Sequence, residues 1–159
     1  MIRRLRQLLR DTRGASIIEL AIVAPVFSTL LMGSVDLASG FSQKLQLTQA
    51  AQRTIEKIMQ TSFQTSAVDT IKTEAATVAG VDTSAVDVDY WLQCNGVRQT
   101  GADKDTAYNG VCPTGQAHAR YLEVTITKTY VPQFLKIKLA GANADGSFTL
   151  TGKAGIRTQ

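Results

Sequence analysis

The 159-residue chain has one histidine, two cysteines and three prolines, and only 6% of its residues are aromatic. The lone histidine, His118, and the two cysteines are too few to complete an ordinary four-ligand zinc site. The sequence also lacks a Gly-x-Ser-x-Gly nucleophile elbow and a glycine-rich phosphate loop. These absences favour a protein that is not an enzyme and that holds no metal or cofactor.

Charge is scarce once the first residues are set aside. Residues 1–14 hold five of the seventeen basic residues and one of the thirteen acids, so this segment carries the whole net charge of +4. Residues 15–159 are formally neutral. A nucleic-acid-binding body is therefore disfavoured, because such proteins need a basic surface to neutralise phosphates.

An apolar run follows the basic segment directly. Leu20–Val35 contains sixteen residues without a charge, and with Glu19 and Asp36 at its ends the stretch Ala15–Ala38 supplies the ~20 residues that cross a bilayer as a helix. Basic residues before a span keep that end in the cytoplasm, so residues beyond about position 40 are expected outside it. The residues that we assign to the span include Ile17, Leu20, Pro25, Phe27 and Leu31.

A cleaved secretory signal is the alternative interpretation of this segment. A basic start, an apolar centre and the small residues Ala38-Ser39-Gly40 loosely fit that pattern. Glu19 argues against it, because a carboxylate in the apolar centre has no use in a disposable signal, and the leader would be unusually long.

Glu19 is the unusual residue of the apolar segment. An acid in mid-membrane costs about 2.5 to 3.5 kcal/mol and is by default a functional-site hypothesis that requires a partner. Cleavage between Gly14 and Ala15 would create an amino group within about one helical turn of Glu19, on the same chain or a neighbour. The alternative is that Glu19 lies among the lipid headgroups beside Arg13.

The residues around this position resemble a known processing site. Arg13-Gly14-Ala15-Ser16-Ile17-Ile18-Glu19 is similar to the prepilin-peptidase site of type IV pilin-like proteins, which has a glycine followed five residues later by a glutamate. The wider segment 10–27 resembles the TadE-like pseudopilins of the tight-adherence (Tad) pilus, with Gly14, Glu19 and Pro25 at the family's positions. The resemblance covers about residues 3–40.

This resemblance implies a role in assembling or initiating Tad (Flp) pili, which adhere to surfaces. A prepilin peptidase would remove residues 1–14, and Glu19 would help subunits to align. The implied partners are that peptidase, other pilins and pseudopilins, the Tad inner-membrane assembly platform and the lipid bilayer, with no nucleic acid. The implied location is the bacterial inner membrane in a single pass, with the body in the periplasm or in the extracellular pilus. The alternative function is a membrane-anchored or secreted periplasmic binding module that is not processed at Gly14.

We divide the chain into a cleaved cytoplasmic leader (1–14), a transmembrane helix (15–38), an amphipathic helical arm (39–63) and an extracytoplasmic body (64–159). Apolar residues at spacings of three and four predict that the helix continues through the arm and that a second helix covers about 67–79. Gly80 suits the end of that second helix. The predicted buried stripes are Leu47, Ala51, Ile55, Ile58 and Met59 in the arm, and Val68, Ile71, Ala75 and Val78 in the second helix.

Beyond Ala85 the apolar period changes from helical spacing to strict alternation, which is typical of half-buried strands. Three strands are predicted: one over about 86–93, one from Leu122 to near Pro132, and one from Phe148 to about Ile156. A short alternating segment, Leu135–Leu139, is either an edge strand or part of a loop. The predicted fold class is α+β, with a long N-terminal helix, a short second helix and a small antiparallel sheet.

Cys94 and Cys112 enclose a loop rich in turn-forming residues. Outside the membrane, oxidising conditions allow a disulfide to form and persist. A bridge here would stabilise the body by about 3 kcal/mol in the chain-entropy model. Two free thiols or a metal-binding pair are the alternative.

Overall fold

The computed structural model describes residues 15–134 and 141–158, so the leader 1–14 and the segment Leu135–Leu139 lie outside the described residues. The fold class is α+β, as predicted. The order of the elements along the chain is α1 (Ala15–Thr61), α2 (Val68–Ala79), β1 (Val86–Cys94), β2 (Val97–Arg98), α3 (Lys104–Asn109), β3 (His118–Tyr130) and β4 (Phe148–Arg157), with 3-10 turns at Thr65–Ala67 and Thr83–Ala85.

Helix α1 is 47 residues long and contains both the predicted span and the predicted arm without a break. At 1.5 Å per residue it extends for about 70 Å. The next residue, Ser62, has a left-handed φ of 61°, which turns the chain away from the helix axis. The helix thus ends two residues before the predicted boundary at Phe63, and the body folds back along its second half.

Within the described residues, the strands form one antiparallel sheet in the order β2-β1-β3-β4. The central strand β3 pairs Leu122 with Tyr90 on one side and with Ile156 on the other. The short strand β2 was not predicted. It forms a hairpin with β1 through Asn95 and Gly96, whose φ angles of 50° and 82° are typical of a type I′ turn.

The hydrophobic core lies between the inner face of the sheet and the two helices α1 and α2. Most inward-facing residues of β1 and β3 are buried in it, as are most of the predicted helix residues, while Leu150 and Ile156 of β4 are partly buried against it. Met59 and Val78 are corrections, because both side chains are exposed. Met59 lies one residue after Ile58, the last buried residue of α1, and Val78 lies two residues after Ala76, the last buried residue of α2. Both side chains therefore point away from the sheet.

Helix α1 lies directly on strand β4 at Gly152. A Cβ atom built on Gly152 would lie 2.6 Å from the Cβ of Leu47, and nearer still to the backbone of α1. No side chain fits in that space, and Leu47 itself is almost completely buried. Glycine at this position therefore sets how closely the helix approaches the sheet.

Candidate functional site

The first half of α1 is exposed on all sides of the helix. Its most apolar 18-residue window has a mean hydropathy of 1.9, and none of the window is buried against the body. Among the described residues, α1 is the one helix long and apolar enough to cross a membrane. A contiguous apolar surface of this extent is typical of membrane or protein contacts. The predicted span residues that are exposed on it are Ile17, Leu20, Phe27 and Leu31.

Pro25 lies within α1 and does not end it. Proline has no amide hydrogen, so the carbonyl group of Ala21, one turn earlier, loses its usual donor. The hydroxyl group of Thr29 donates a hydrogen bond to the carbonyl of Pro25 at 2.8 Å, and Ser34 donates to the carbonyl of Leu31 at 2.8 Å. Both hydroxyl groups are thus satisfied inside the helix, as lipid surroundings require.

The predicted processing residues lie at the start of α1. Gly14 is outside the described residues, while Ala15 is the first helical residue and Glu19 is exposed on the helix surface. Positions 15 and 19 are four residues apart, so they share one helix face about 6 Å apart along the axis.

Asp36, at the other end of the apolar run, has an unexpected role. Its side chain is buried, and its carboxylate accepts hydrogen bonds from the backbone amides of Gln133 at 2.9 Å and Phe134 at 3.0 Å. The sequence alone predicts only that this acid is a charged end of the span. Its contacts join residues nearly a hundred positions apart, and no local pattern predicts such a pairing.

Tyr130 completes this junction between α1 and the body. Its hydroxyl group donates to the carbonyl of Asp36 at 2.8 Å. Its ring packs on Gly40, where an added Cβ would lie 3.2 Å from Cε1 of the tyrosine. Burial raises the pKa of Tyr130, and the nearby Asp36 carboxylate raises it further. The phenol therefore stays neutral and remains a donor near neutral pH.

A cleft of about 310 Å³ opens beside this junction, between α1 and the start of β4. Most of its wall is apolar, and Lys44 lies at its edge. The lining residues include Gly33, Leu37, Gly40, Phe41, Pro132, Phe148 and Leu150.

The far end of the body carries the predicted disulfide. Cys94 and Cys112 are bonded, with their Cα atoms 5.6 Å apart, which confirms the prediction. The loop that they close contains α3, a helix that the sequence analysis missed. The residue that could have predicted the start of this helix is Asp103. Its carboxylate caps α3 by accepting a hydrogen bond from the amide of Thr106 at 2.8 Å. Hydrogen bonds from the amide and hydroxyl of Thr106 hold the pKa of Asp103 below its usual range.

Helix α3 is attached to the core by aromatic and backbone contacts. The ring of Tyr108 meets the rings of Phe63 and Tyr90 edge-on, each at a centroid distance of 5.4 Å. The guanidinium of Arg120 donates to the carbonyl oxygens of Tyr108 at 2.9 Å and Gly110 at 3.1 Å. Tyr90 donates a hydrogen bond to Asp105, and burial together with this carboxylate raises the pKa of Tyr90 to about 12. These contacts explain the burial of Tyr90 and Tyr108.

The outer face of the sheet is polar and carries paired charges. The guanidinium of Arg98 donates twice to Asp89, at 2.9 and 3.0 Å, and Lys104 lies 2.9 Å from the same carboxylate. Partial burial alone would raise the pKa of Asp89, but these cationic neighbours outweigh it and hold the pKa below its usual range. Arg98 also lies over Trp91, 4.8 Å from the ring centroid, and Trp91 stacks on Tyr121. This face is thus organised by contacts within the body itself.

The described residues include no cluster of three or more histidine, cysteine, aspartate or glutamate side chains placed to hold a metal ion. His118 is exposed at the first position of β3.

The apolar helix α1 is the part of the chain that is similar to a known family. The sequence model of the family described as TadE-like protein matches residues 14–55, which include Glu19, Pro25 and Asp36. No curated protein and no solved structure matches the chain. Residues 14–55, which contain most of α1, are thus similar to the TadE-like protein family, whereas residues 56–159 lie outside this match.

Proposed function

We propose that the protein is a minor pilin of the Tad pilus that is cleaved after Gly14 by a prepilin peptidase and acts in pilus assembly or initiation. The observation that carries this proposal is the position of Glu19. It lies five residues after Gly14, at the start of an uninterrupted helix whose first half is exposed apolar surface. Such a helix is suited both to a bilayer and to packing among other helices.

The chemistry of Glu19 supports an assembly role. Cleavage after Gly14 places an ammonium group at Ala15, on the same helix face about 6 Å away along the axis. An ammonium group on this chain or a neighbour neutralises a carboxylate that is otherwise costly in lipid. Pairing between neighbours gives each subunit a fixed axial position relative to the next one.

We propose a structural rather than a catalytic role for the body. Its outer sheet face consists of side chains that bind one another, such as Arg98, Lys104 and Asp89. Its disulfide and aromatic contacts stabilise the loop at the far end. This arrangement suits a body displayed in the periplasm or on a pilus, with the leader on the cytoplasmic side.

The N-terminal sequence of protein recovered from membranes of the native host tests the processing step. Ala15 as the first residue supports the minor-pilin proposal. Phe41 would indicate a secretory signal, and Met1 an anchored binding module that is not processed. Either of the last two results overturns the proposal.

Two variants separate processing from assembly. Gly14→Ala should weaken processing, so that a larger fraction of the chain keeps its leader, which the mass of the whole chain reports. Glu19→Val should leave membrane insertion intact while reducing the number of pili, and Glu19→Gln tests the charge at nearly constant shape. Glu56→Gln is the matched control, because Glu56 is an exposed acid on the same helix outside the span. Normal piliation of Glu19→Val would argue against the assembly role.

A further inference from the structure

We propose that the loop after β3, Val131–Phe134, inserts into the outer lipid interface and seats the body directly on the membrane. The proposed occupant of this surface is the boundary between lipid headgroups and acyl chains. The proposal depends on α1 crossing a bilayer and is independent of processing and pilus assembly.

The spacing of charges along α1 indicates where the bilayer ends. The charge-free run Leu20–Val35 is about 24 Å long, which is short for a hydrocarbon core of ~30 Å. The burial of Asp36 removes its carboxylate from the lipid-facing surface. The next charge along α1 is then Lys44, about 37 Å from Glu19. A ~30 Å core that begins near Glu19 ends near residue 39, beyond Asp36.

The contacts of Asp36 place the loop Val131–Phe134 at the same height along α1 as this residue. The carboxylate of Asp36 holds the amides of Gln133 and Phe134 at 2.9 and 3.0 Å. The hydroxyl of Tyr130, at the end of β3, is fixed to the carbonyl of the same aspartate. The loop therefore lies beside a turn of α1 that is at or inside the edge of the hydrocarbon core.

The loop and the adjoining part of α1 together expose large apolar side chains. Val131 and Phe134 are 57% and 52% exposed, and on the adjoining helix Leu37 and Phe41 are 71% and 65% exposed. Large apolar and aromatic side chains favour the membrane interface over water. Lys44 follows one turn after Phe41, where its long side chain reaches the headgroups. The outer sheet face, by contrast, carries paired charges that suit water.

Tryptophan fluorescence tests the proposal, because the chain has one tryptophan, Trp91. Trp91 pairs with Tyr121 in the sheet, nine residues along β3 from Tyr130, or about 30 Å from the proposed contact. The full chain is placed in vesicles of phosphatidylcholine and phosphatidylglycerol whose acyl chains are brominated near the headgroup. Phe134→Trp in a Trp91→Phe background should lose emission relative to unbrominated vesicles and should emit at shorter wavelength.

Two controls use remote positions. Val111→Trp in the same background places a tryptophan at a 92% exposed site in the disulfide loop, and native Trp91 reports the outer sheet face. Neither should be quenched. Equal quenching at positions 134 and 111 would overturn the proposal. Val131→Trp serves in place of Phe134→Trp if the latter does not fold, as judged by circular dichroism.

Phe41→Trp measures the bilayer level on the helix itself. Quenching at position 41 without quenching at 134 or 131 would overturn the loop contact while the helix placement stands. Absence of quenching at positions 41, 131 and 134 would overturn the placement of the bilayer edge. The N-terminal sequence of the native protein remains a separate measurement, so failure here is distinguishable from failure of the minor-pilin proposal.

Discussion

The hydroxyl of Tyr130 donates a hydrogen bond to the carbonyl of Asp36 at 2.8 Å, across a sequence separation of 94 residues. This bond joins the end of the central strand β3 to the apolar half of α1. With the two amide contacts of the Asp36 carboxylate, it fixes the body to the helix at the end of the predicted span. The body and the span are expected to move together.

Asp36→Ala should loosen this junction. The substitution leaves the part-buried amides of Gln133 and Phe134 without their acceptor, and a hydrogen bond to a charged group contributes about 1.5–3 kcal/mol. Hydrogen exchange in detergent micelles should become faster at these two amides. Tyr130→Phe is the matched control, because it removes one hydrogen bond and keeps both amide contacts and the ring on Gly40. Unchanged exchange at Gln133 and Phe134 in Asp36→Ala would contradict this role.

Gly152→Ala should destabilise the body strongly. The new methyl group would clash with the backbone of α1 at Leu47, so the helix must move off the sheet. Overpacking of this kind costs about 1–3 kcal/mol or more. Gly155→Ala on the same strand is the control, since its Cβ meets its nearest atom, the carbonyl oxygen of Leu122, at 3.2 Å. Denaturant unfolding of both variants gives the comparison, and equal losses would refute the close-approach argument.

Removal of the disulfide should lower stability without abolishing the fold. Cys94→Ala/Cys112→Ala opens a loop with a sequence separation of 18 residues, and the chain-entropy model gives a loss of about 3 kcal/mol in unfolding free energy. The contacts of Tyr108 and Arg120 should keep α3 attached. Urea unfolding measures the loss. Adding a reductant to the wild type should reproduce it and should leave the double variant unchanged.

The ion pairs of Asp89 should contribute stability that depends on pH. The pKa of Asp89 is lower in the folded chain than its ordinary value of 3.8, so the unfolded chain binds the proton more readily. The stabilisation is complete above that ordinary value and is lost as the pH falls through the folded pKa.

Asp89→Asn should therefore reduce the unfolding free energy at neutral pH by up to about 1 kcal/mol, because the pairs are partly exposed. The difference from the wild type should shrink in acid, near pH ~2. Thermal unfolding of both proteins at several pH values measures this difference in unfolding free energy. Asp87→Asn, an exposed acid two residues earlier on the strand, should show no comparable difference. A loss that is constant with pH would exclude an ionic origin.

Features that repeat within one helix or strand can be predicted from the sequence alone. The apolar run predicted the helix across residues 15–38, and alternation predicted the buried faces of β1 and β3, including Val88 and Val124. Such patterns are readable because each element buries one face at its own period. The match of residues 14–55 to the TadE-like family includes the whole of this run.

Contacts between segments that are distant in the chain cannot be predicted in this way, because they depend on how the elements pack. The burial of Asp36 follows from the loop after β3, and the need for glycine at position 152 follows from the approach of α1. The exposure of Met59 was likewise set by how α1 rotates on the sheet, which a stripe of similar residues leaves undetermined. A local pattern records which face is apolar, whereas packing geometry selects the atoms that meet across that face.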